Sequence, residues 1–250
     1  LSHMRPDVRV RGEWPEAVVL RRGWRAARAR PWNDQSTHLA ALRLDRGGDR
    51  FLDACTEWLW GVGVVQVMSP ALAADQTATW RRAGFRDHLH LAVFERDLTD
   101  VVEPPLHRVE SEEHPDFGVL AAIDDRAFDP VWRVGRAGLE DARAATPLSD
   151  VLTVVEDGRT AGFAIVGAMT SVSYLQRVAV EPSRARRGIG RSLLRASMGW
   201  ARRRGARSML LNTQPDNAPA AALYHDEGFV ALGSRLSVLA RHKPGRGADR

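Results

Sequence analysis

The chain has 250 residues, 44% of them apolar and 27% charged, with a formal net charge of +5; this is ordinary composition for a soluble globular protein and length enough for one large domain or two small ones. No apolar run approaches the roughly 18 residues of a membrane span, nothing at the N-terminus reads as a secretion signal, and Leu1-Ser2-His3 ahead of Met4 reads as a cloning remnant. With a single cysteine, Cys55, no intrachain disulfide can form, which fits a reducing cytoplasm as the expected location.

Residues 4–35 are rich in arginine and tryptophan, and Val18-Val19-Leu20 predicts a strand. After Pro31-Trp32-Asn33-Asp34, residues 37–44 alternate as a second strand. Arg46-Gly47-Gly48-Asp49 is a turn, and residues 51–60 carry Phe51, Leu52, Cys55 and Leu59 at helical spacing. Gly61 and Gly63 end that helix, and residues 64–68 form a short strand. Residues 76–83 predict a helix capped by Gly84, and 89–94 a strand. Residues 99–106, with Pro104-Pro105, read as a linker. Beyond it, residues 117–128 predict a helix broken by Asp129-Pro130, and 138–145 a weaker helix ended by Pro147. Residues 151–155 and 162–166 form a hairpin about Glu156-Asp157-Gly158. A strand at 172–180, a long helix at 188–204, a strand at 208–211, a helix at 218–227 and a closing strand at 232–239 complete the pattern. Residues 242–250 have no apolar anchor and are expected to be a disordered tail.

This order repeats. Trp80-Arg81-Arg82-Ala83-Gly84-Phe85 lies over Tyr224-His225-Asp226-Glu227-Gly228-Phe229, and Arg46-Gly47 lies over Arg187-Gly188. Two amphipathic helices that both end in Gly-Phe could match by chance, but the shared strand–turn–helix–strand–helix order favours duplication. Residues 4–98 are therefore read as a shortened, degenerate copy of the second half. Its turn places Asp49 where an anion would sit, and Trp80 replaces Tyr224.

The chemistry concentrates in residues 176–229. The strand Val178-Ala179-Val180 stops at Pro182, an arginine-rich turn follows, and Gly188-Ile189-Gly190 opens the long helix. The first amides of a helix have no internal partner and its dipole favours anions, so this turn is a seat for a phosphate or pyrophosphate. Glycines there let the backbone approach the ligand, although Gly-x-Gly alone is a weak signal. Nine arginines and no acidic residue lie between Arg184 and Arg207. They are either a solvated helix face or an electropositive mouth for a polyanionic cofactor, and their crowding at the turn favours the mouth. Nucleic acid is the weaker partner, because only Trp200 supplies an aromatic within the run.

The strand end V-A-V-x-P, the turn R-R-G-I-G-R-S-L-L and the run N-x-x-A-x-x-L-Y-x-x-x-G-F from Asn217 to Phe229 together resemble the acetyl-CoA-binding core of the GCN5-related N-acetyltransferase (GNAT) superfamily. The resemblance implies an α/β (α+β) GNAT fold, a mixed central sheet flanked by helices, in tandem: a degenerate half at 4–98, the linker 99–106 and a complete domain at 107–241. It implies acetyl-CoA as cofactor and direct attack by a primary amine of a small molecule or of a protein or peptide N-terminus. The pantetheine arm would lie on the backbone of Arg177, Val178, Ala179 and Val180. The pyrophosphate would sit on the amides of Arg186, Arg187, Gly188, Ile189, Gly190, Arg191 and Ser192, with Gly188 and Gly190 kept small. Ala185 departs from the family, which usually has arginine or glutamine there. Arg191 and Arg195 are read either as contacts to outer phosphates or as solvated charges.

Asn212 and Asn217 would contact cofactor, with helix capping as the alternative for Asn217. Tyr224 would protonate the departing thiolate; a core tyrosine with its hydroxyl at the rim is the plainer alternative. Asp129, Trp132 and Arg133 fall in the family's variable acceptor loop, and Gln176 lies on the adjoining strand. No base is legible: Tyr174 and Gln176 are poor bases, and Glu181 is of a kind that is usually structural. A non-catalytic acyl-CoA-binding regulatory module is therefore the alternative function. His88 and His90 alternate onto one strand face without a third ligand, so a surface pair is expected and no metal. There is no G-x-x-x-x-G-K-[ST] loop for nucleotide hydrolysis.

Overall fold

The computed structural model describes residues 8–34 and 36–244; the expected remnant at 1–3 and residues 245–250 of the expected tail lie outside them. The chain forms two compact units, one from the described residues of Leu1–Leu91 with Ser234–Arg250, the other from Ala92–Gly233.

The first unit is built from β1 (Arg9–Arg11), β2 (Val18–Arg22), β3 (Arg25–Trp32), β4 (Ser36–Arg46), α1 (Asp49–Gly61), β5 (Gln66–Leu72) and α2 (Thr77–Arg82). Strands β1 to β5 lie in chain order, antiparallel until β4, which runs parallel to β5 through Leu39–Ala41 against Gln66–Met68. Strand β6 (Arg86–Asp97) leads from this unit into the second. The second unit adds β7 (Glu110–Ser111), α3 (Phe117–Ala127), α4 (Arg136–Ala144), β8 (Leu148–Glu156), β9 (Arg159–Met169), β10 (Val172–Val180), α5 (Ile189–Arg203), β11 (Ser208–Thr213) and α6 (Ala218–Asp226), and β12 (Val230–His242) returns to the first. Its strand order is β6-β11-β10-β9-β8-β7, with β10 and β11 parallel.

The last strands are exchanged. In the first unit β12 pairs antiparallel with β5, from Ser237↔Leu72 to His242↔Gln66. In the second unit the end of β6 pairs antiparallel with β11, from Asp97↔Ser208 to Ala92↔Thr213. Both halves otherwise use the same unit: a strand, a helix and a second strand parallel to the first, then a short helix. The ends of α2 and α6 match in detail. The Phe85 amide donates to Trp80 O at 3.1 Å and the Phe229 amide to Tyr224 O at 2.9 Å. Gly84 and Gly228 turn the chain at φ +84° and +77°, a left-handed cap that side chains disfavour.

Differences from the sequence reading have local causes. Strand β3 goes unread in the sequence because its buried residues are Ala26, Ala27 and Ala29, and alanine has little strand preference while arginine marks no element. Strand β12 continues to His242, and the Lys243 amide and ammonium donate to Val65 O and Trp60 O, both at 2.8 Å, so the expected tail begins later than residue 242.

The core of the second unit forms where α5 turns Ile189, Leu193, Leu194 and Met198 onto β8 and β9. This close approach depends on Gly162, where a Cβ would meet Ala179 O at 2.9 Å, Ile189 Cγ2 at 3.0 Å and Leu193 Cδ1 at 3.2 Å. One obstacle is backbone and cannot swing away. Gly162→Ala is therefore expected to destabilise the protein by about 1–3 kcal/mol through overpacking; an unchanged urea midpoint would show that helix and sheet are not in this contact.

Candidate active site

Strand β10 has two neighbours at its start and one at its end. It pairs with β11 only at Val172–Tyr174 against Ser208–Leu210. Its register with β9 then shifts between Leu175 and Arg177, a bulge at Gln176, after which Arg177–Val180 stay on Ile165–Gly162 alone. A bulge inserts a residue, bends the strand and leaves pairing disrupted. The β11-side backbone edge of residues 177–180 is thus without a strand partner among the described residues. Nothing in the sequence at Gln176 marks this bulge.

The open edge leads to the start of α5. Arg186 and Gly188 both lie at positive φ, +64° and +84°, which turns the chain sharply before the helix. The first helical bond is from the Ser192 amide to Gly188 O at 2.9 Å, and the amides of residues 186–191 have no backbone partner among the described residues. The run of free donors is therefore one shorter than expected: Ser192 does not belong to it. The Ser192 side chain is fully buried, donates to Gly188 O at 3.0 Å and accepts from the Leu106 and His107 amides at 3.1 and 3.0 Å. The His107 ring Nε2 lies 2.8 Å from Arg187 O, so residues 106–107 brace the turn from behind. At Gly190 a Cβ would sit 3.6 Å from Val180 and 3.7 Å from Leu223. Internal packing permits a small side chain there; only a ligand against the amides would require glycine.

The arginines divide into spent and free. Arg184 is held by Glu156 at 2.6 Å and Asp157 at 2.9 Å. Arg191 pairs with Asp226 at 2.8 Å, and Arg195 grips the buried Glu227 through Nε and Nη2 at 2.8 and 2.9 Å. The side chains of Arg191 and Arg195 thus tie α5 to the end of α6 rather than reaching toward the turn. Arg187 has only a 3.8 Å approach to Glu156, and Arg186 has no ion pair among the described residues, so Arg186 and Arg187 supply the least committed positive charge beside the amides.

Tyr224 projects from α6 into the core, with Phe94 and Phe229 at ring distances of 5.6 and 6.0 Å. Burial pushes its phenol up to about 12, with Arg177 pulling weakly the other way. It therefore stays protonated at neutral pH, the state a proton donor needs.

Arg177 does more than the sequence suggested. Its Nε donates to Asp124 Oδ1 at 2.6 Å and its Nη2 to Trp132 O at 2.9 Å, while its guanidinium lies 3.7 Å over the Phe128 ring. Fully buried Asp124 also accepts the Val134 amide at 2.6 Å. One buried ion pair thus holds the segment carrying Asp129, Trp132 and Arg133 against β10, next to the bulge. Asp129 is exposed, and Arg133 is turned back onto Phe128 O and Asp125 at 3.1 and 3.2 Å.

Comparison with known proteins places this geometry. The model of the acetyltransferase (GNAT) family matches residues 107–229. Residues 107–229 are thus a domain of the GNAT family of acetyltransferases. The chain is 37% identical over 115 residues to a mycothiol acetyltransferase of Clavibacter michiganensis, covering 43% of this chain and 37% of that protein. It is 34% identical over 76 residues to the ribosomal protein bS18-alanine N-acetyltransferase of Escherichia coli K12, covering 30% and 51%. It thus spans about half the length, or less, of these curated relatives. Among solved structures it is similar in fold to a tandem GNAT protein from the clavulanic acid biosynthesis pathway (TM-score 0.59, 15% identity, 96% of this chain and 85% of that one). A GCN5-related N-acetyltransferase from Sphaerobacter thermophilus gives TM-score 0.56 at 18% identity, covering 92% and 82%.

The remaining expected GNAT positions are placed as follows. Asn212 lies on β11 opposite Val93, its side chain exposed. Asn217 caps α6: its Oδ1 accepts the Ala220 amide at 3.2 Å and its Nδ2 donates to Thr213 Oγ1 and Gln214 Oε1, both at 3.1 Å. Its side chain is occupied by the capping role given above as the alternative. Glu181 is clamped by Arg126 Nε and Nη2, the shortest contact 2.7 Å. Asp124 and Glu181 are both engaged by arginine. In the first unit, the Asp49 carboxylate accepts the Arg50 amide at 2.8 Å and Arg82 Nε at 3.3 Å; the amide bond is the main reason its carboxyl sits below the usual range. The protein's own anion thus stands at the start of α1. Trp80 is buried in the core edge-on to Phe85, at 4.9 Å. His88 faces Gln66 and His242, and His90 faces Ser237.

Because the chain has only two tyrosines, the Tyr224 environment can be read directly. Tyr224→Phe is expected to leave the ultraviolet tyrosinate titration unchanged up to about pH 11, since Tyr224 does not ionise there in the folded protein. Loss of half of the absorbance change below that pH would contradict its burial.

Proposed function

We propose that the chain transfers an acetyl group from acetyl-CoA to a primary amine by direct attack, and that residues 107–241 are its working domain. The observation that carries this reading is the parting of β10 from β11 at Gln176, which opens a backbone edge leading onto the free amides of 186–191. The donor set fits the group: main-chain N–H and C=O of Arg177–Val180 for an amide-bearing arm, and successive amides at a helix start beside Arg186 and Arg187 for a pyrophosphate. Acetyl-CoA, when bound, supplies the activated acyl group and a thiolate leaving group. Tyr224 is positioned by α6 and kept neutral by burial, so its role is to hold a proton for that sulfur. The loop bearing Asp129, Trp132 and Arg133, fastened by Arg177 and Asp124, and Gln176 in the bulge would meet the acceptor. Similar proteins are named as acetyltransferases of mycothiol, of a ribosomal protein's alanine and of streptothricin, which supports an amine acceptor of either a small molecule or a protein N-terminus.

Residues 4–98 are, in this reading, a degenerate GNAT half: the Asp49 carboxylate at the start of α1 and the bulk of Trp80 in place of Tyr224 support a scaffolding part rather than a second site. The single, buried Cys55, its thiol pushed up to about 12 by burial, accords with a reducing cytoplasm, where we place the protein. No helix among the described residues is long and apolar enough to cross a membrane.

Calorimetry should show acetyl-CoA binding to the unaltered protein, and Gly190→Trp should abolish it; absence of binding to the unaltered protein refutes the reading. Tyr224→Phe should lower turnover by about 10²-fold or more while changing cofactor affinity little. An equal rate would remove Tyr224 from the chemistry. The engagement of Asp124 and Glu181 by arginine favours one alternative, a non-catalytic acyl-CoA-binding module. Thiol release from acetyl-CoA across a broad panel of amines and peptides separates the two: binding with no release in any case supports the module.

A further inference from the structure

A second concavity in the Ala92–Gly233 unit lies along the C-terminal half of α5. Gly199, on its wall, is about 16 Å along the helix from Gly188. The cavity has a volume of about 820 Å³, within the range of small-molecule sites. Its far side is the irregular segment ahead of β7, and that segment is fastened in place. Val101 O accepts from Arg96 Nη2 at 2.9 Å, Pro104 O accepts from Arg195 Nη1 at 3.1 Å, and the Leu106 and His107 amides donate to Ser192 Oγ.

The apolar part of the wall is small and comes from the partly exposed Val102, Val109 and Ala196. The rim is cationic. Arg202, Arg203 and Arg204 border the cavity in succession. Such residues at a helix end are commonly solvated partners of the dipole; what sets these apart is the cavity they border. Arg202 and Arg203 are exposed and carry no ion pair among the described residues, and Arg204 is stacked 4.0 Å over the Trp200 ring. Two carboxylates, Asp150 and Glu103, also lie on the lining. Asp150 accepts Ser111 Oγ and the Val151 amide, both at 2.8 Å, and with Arg195 matched by Glu227 the charges of Arg202, Arg203 and Arg204 still outnumber the two acids. Trp200 is 2% exposed, so it backs the cavity from the core and offers no open face to it.

We propose that this cavity is a binding site for a small organic anion: a carboxylate or phosphate on an apolar body, the body against Val102, Val109 and Ala196, and the charge at Arg202 and Arg203. It is separate from the amides at the start of α5, so it stands whether or not those amides hold acetyl-CoA.

The test uses one fluorophore with and without a charge. Dansylglycine should bind the full chain one to one, with and without saturating acetyl-CoA, and uncharged dansylamide should bind about tenfold more weakly. Reversing the two exposed cations, Arg202→Glu with Arg203→Glu, should weaken dansylglycine about tenfold at an unchanged melting temperature. Gly199→Phe should occlude the cavity, because a Cβ there meets only the flexible end of Arg203, at 3.3 Å. Absence of dansylglycine binding, equal binding of dansylamide, displacement by acetyl-CoA, or binding unmoved by both variants would each overturn the proposal. None of these outcomes bears on acetyl-CoA calorimetry.

Discussion

A strand that gains one residue against one neighbour cannot keep register with the other. Gln176 is that residue: it is inserted between Leu175 and Arg177, which pair with the adjacent Val166 and Ile165, and β10 keeps β9 and leaves β11. In a closed sheet the backbone of residues 177–180 would be saturated by its neighbours. Here one edge stays available, and the next elements, the turn at Arg186 and Gly188 and the opening of α5, add further unpaired donors along the same path. Backbone groups left unmade are costly when dry, so an edge of this kind persists only where water or a ligand can reach it.

The same place is made rigid by a pair of charges. Asp124 is wholly buried and Arg177 nearly so, and breaking such a pair costs about 3–5 kcal/mol because one charge is left without its partner. Its remaining hydrogen bonds go to the Trp132 carbonyl and the Val134 amide, main-chain groups of the loop between α3 and α4. Strand, helix and loop are therefore fixed by one interaction immediately after the bulge. The loop is given a defined seat through its main-chain groups, which leaves the Asp129 side chain exposed.

Much of this was legible in the sequence. The hairpin of β8 and β9, the strand–turn–helix of β10 and α5, and the repeat that places Trp80 over Tyr224 follow from periodicity, glycines and caps, which are local signals. What escaped is non-local or chemically bland. The Gln176 bulge depends on register against β9, and β3 hides because alanine packs a strand without advertising one. The arginine run was readable as positive charge but not as its distribution: Arg184, Arg191 and Arg195 are spent on Glu156, Asp226 and Glu227, all far away in sequence or on another helix. Ser192 and Asn217 illustrate the same limit. Both lie within the motif, yet the hydroxyl of one braces residues 106–107 and the amide of the other caps α6, uses that only the folded chain reveals.

The exchange of closing strands has a consequence for how such a chain can be divided or recombined. A tandem protein is ordinarily expected to come apart at its linker into pieces that fold alone. Here a cut within 99–106 would leave β6 attached to the fragment that does not use its final residues, and β12 attached to the fragment that does not pair with β5. Each piece would expose an unpaired sheet edge, the kind of surface that recruits a second chain, and each would hold the strand its counterpart needs. The two halves are thus bound in inheritance as well as in folding. Neither half can be discarded alone, because each depends on a strand that the other lends.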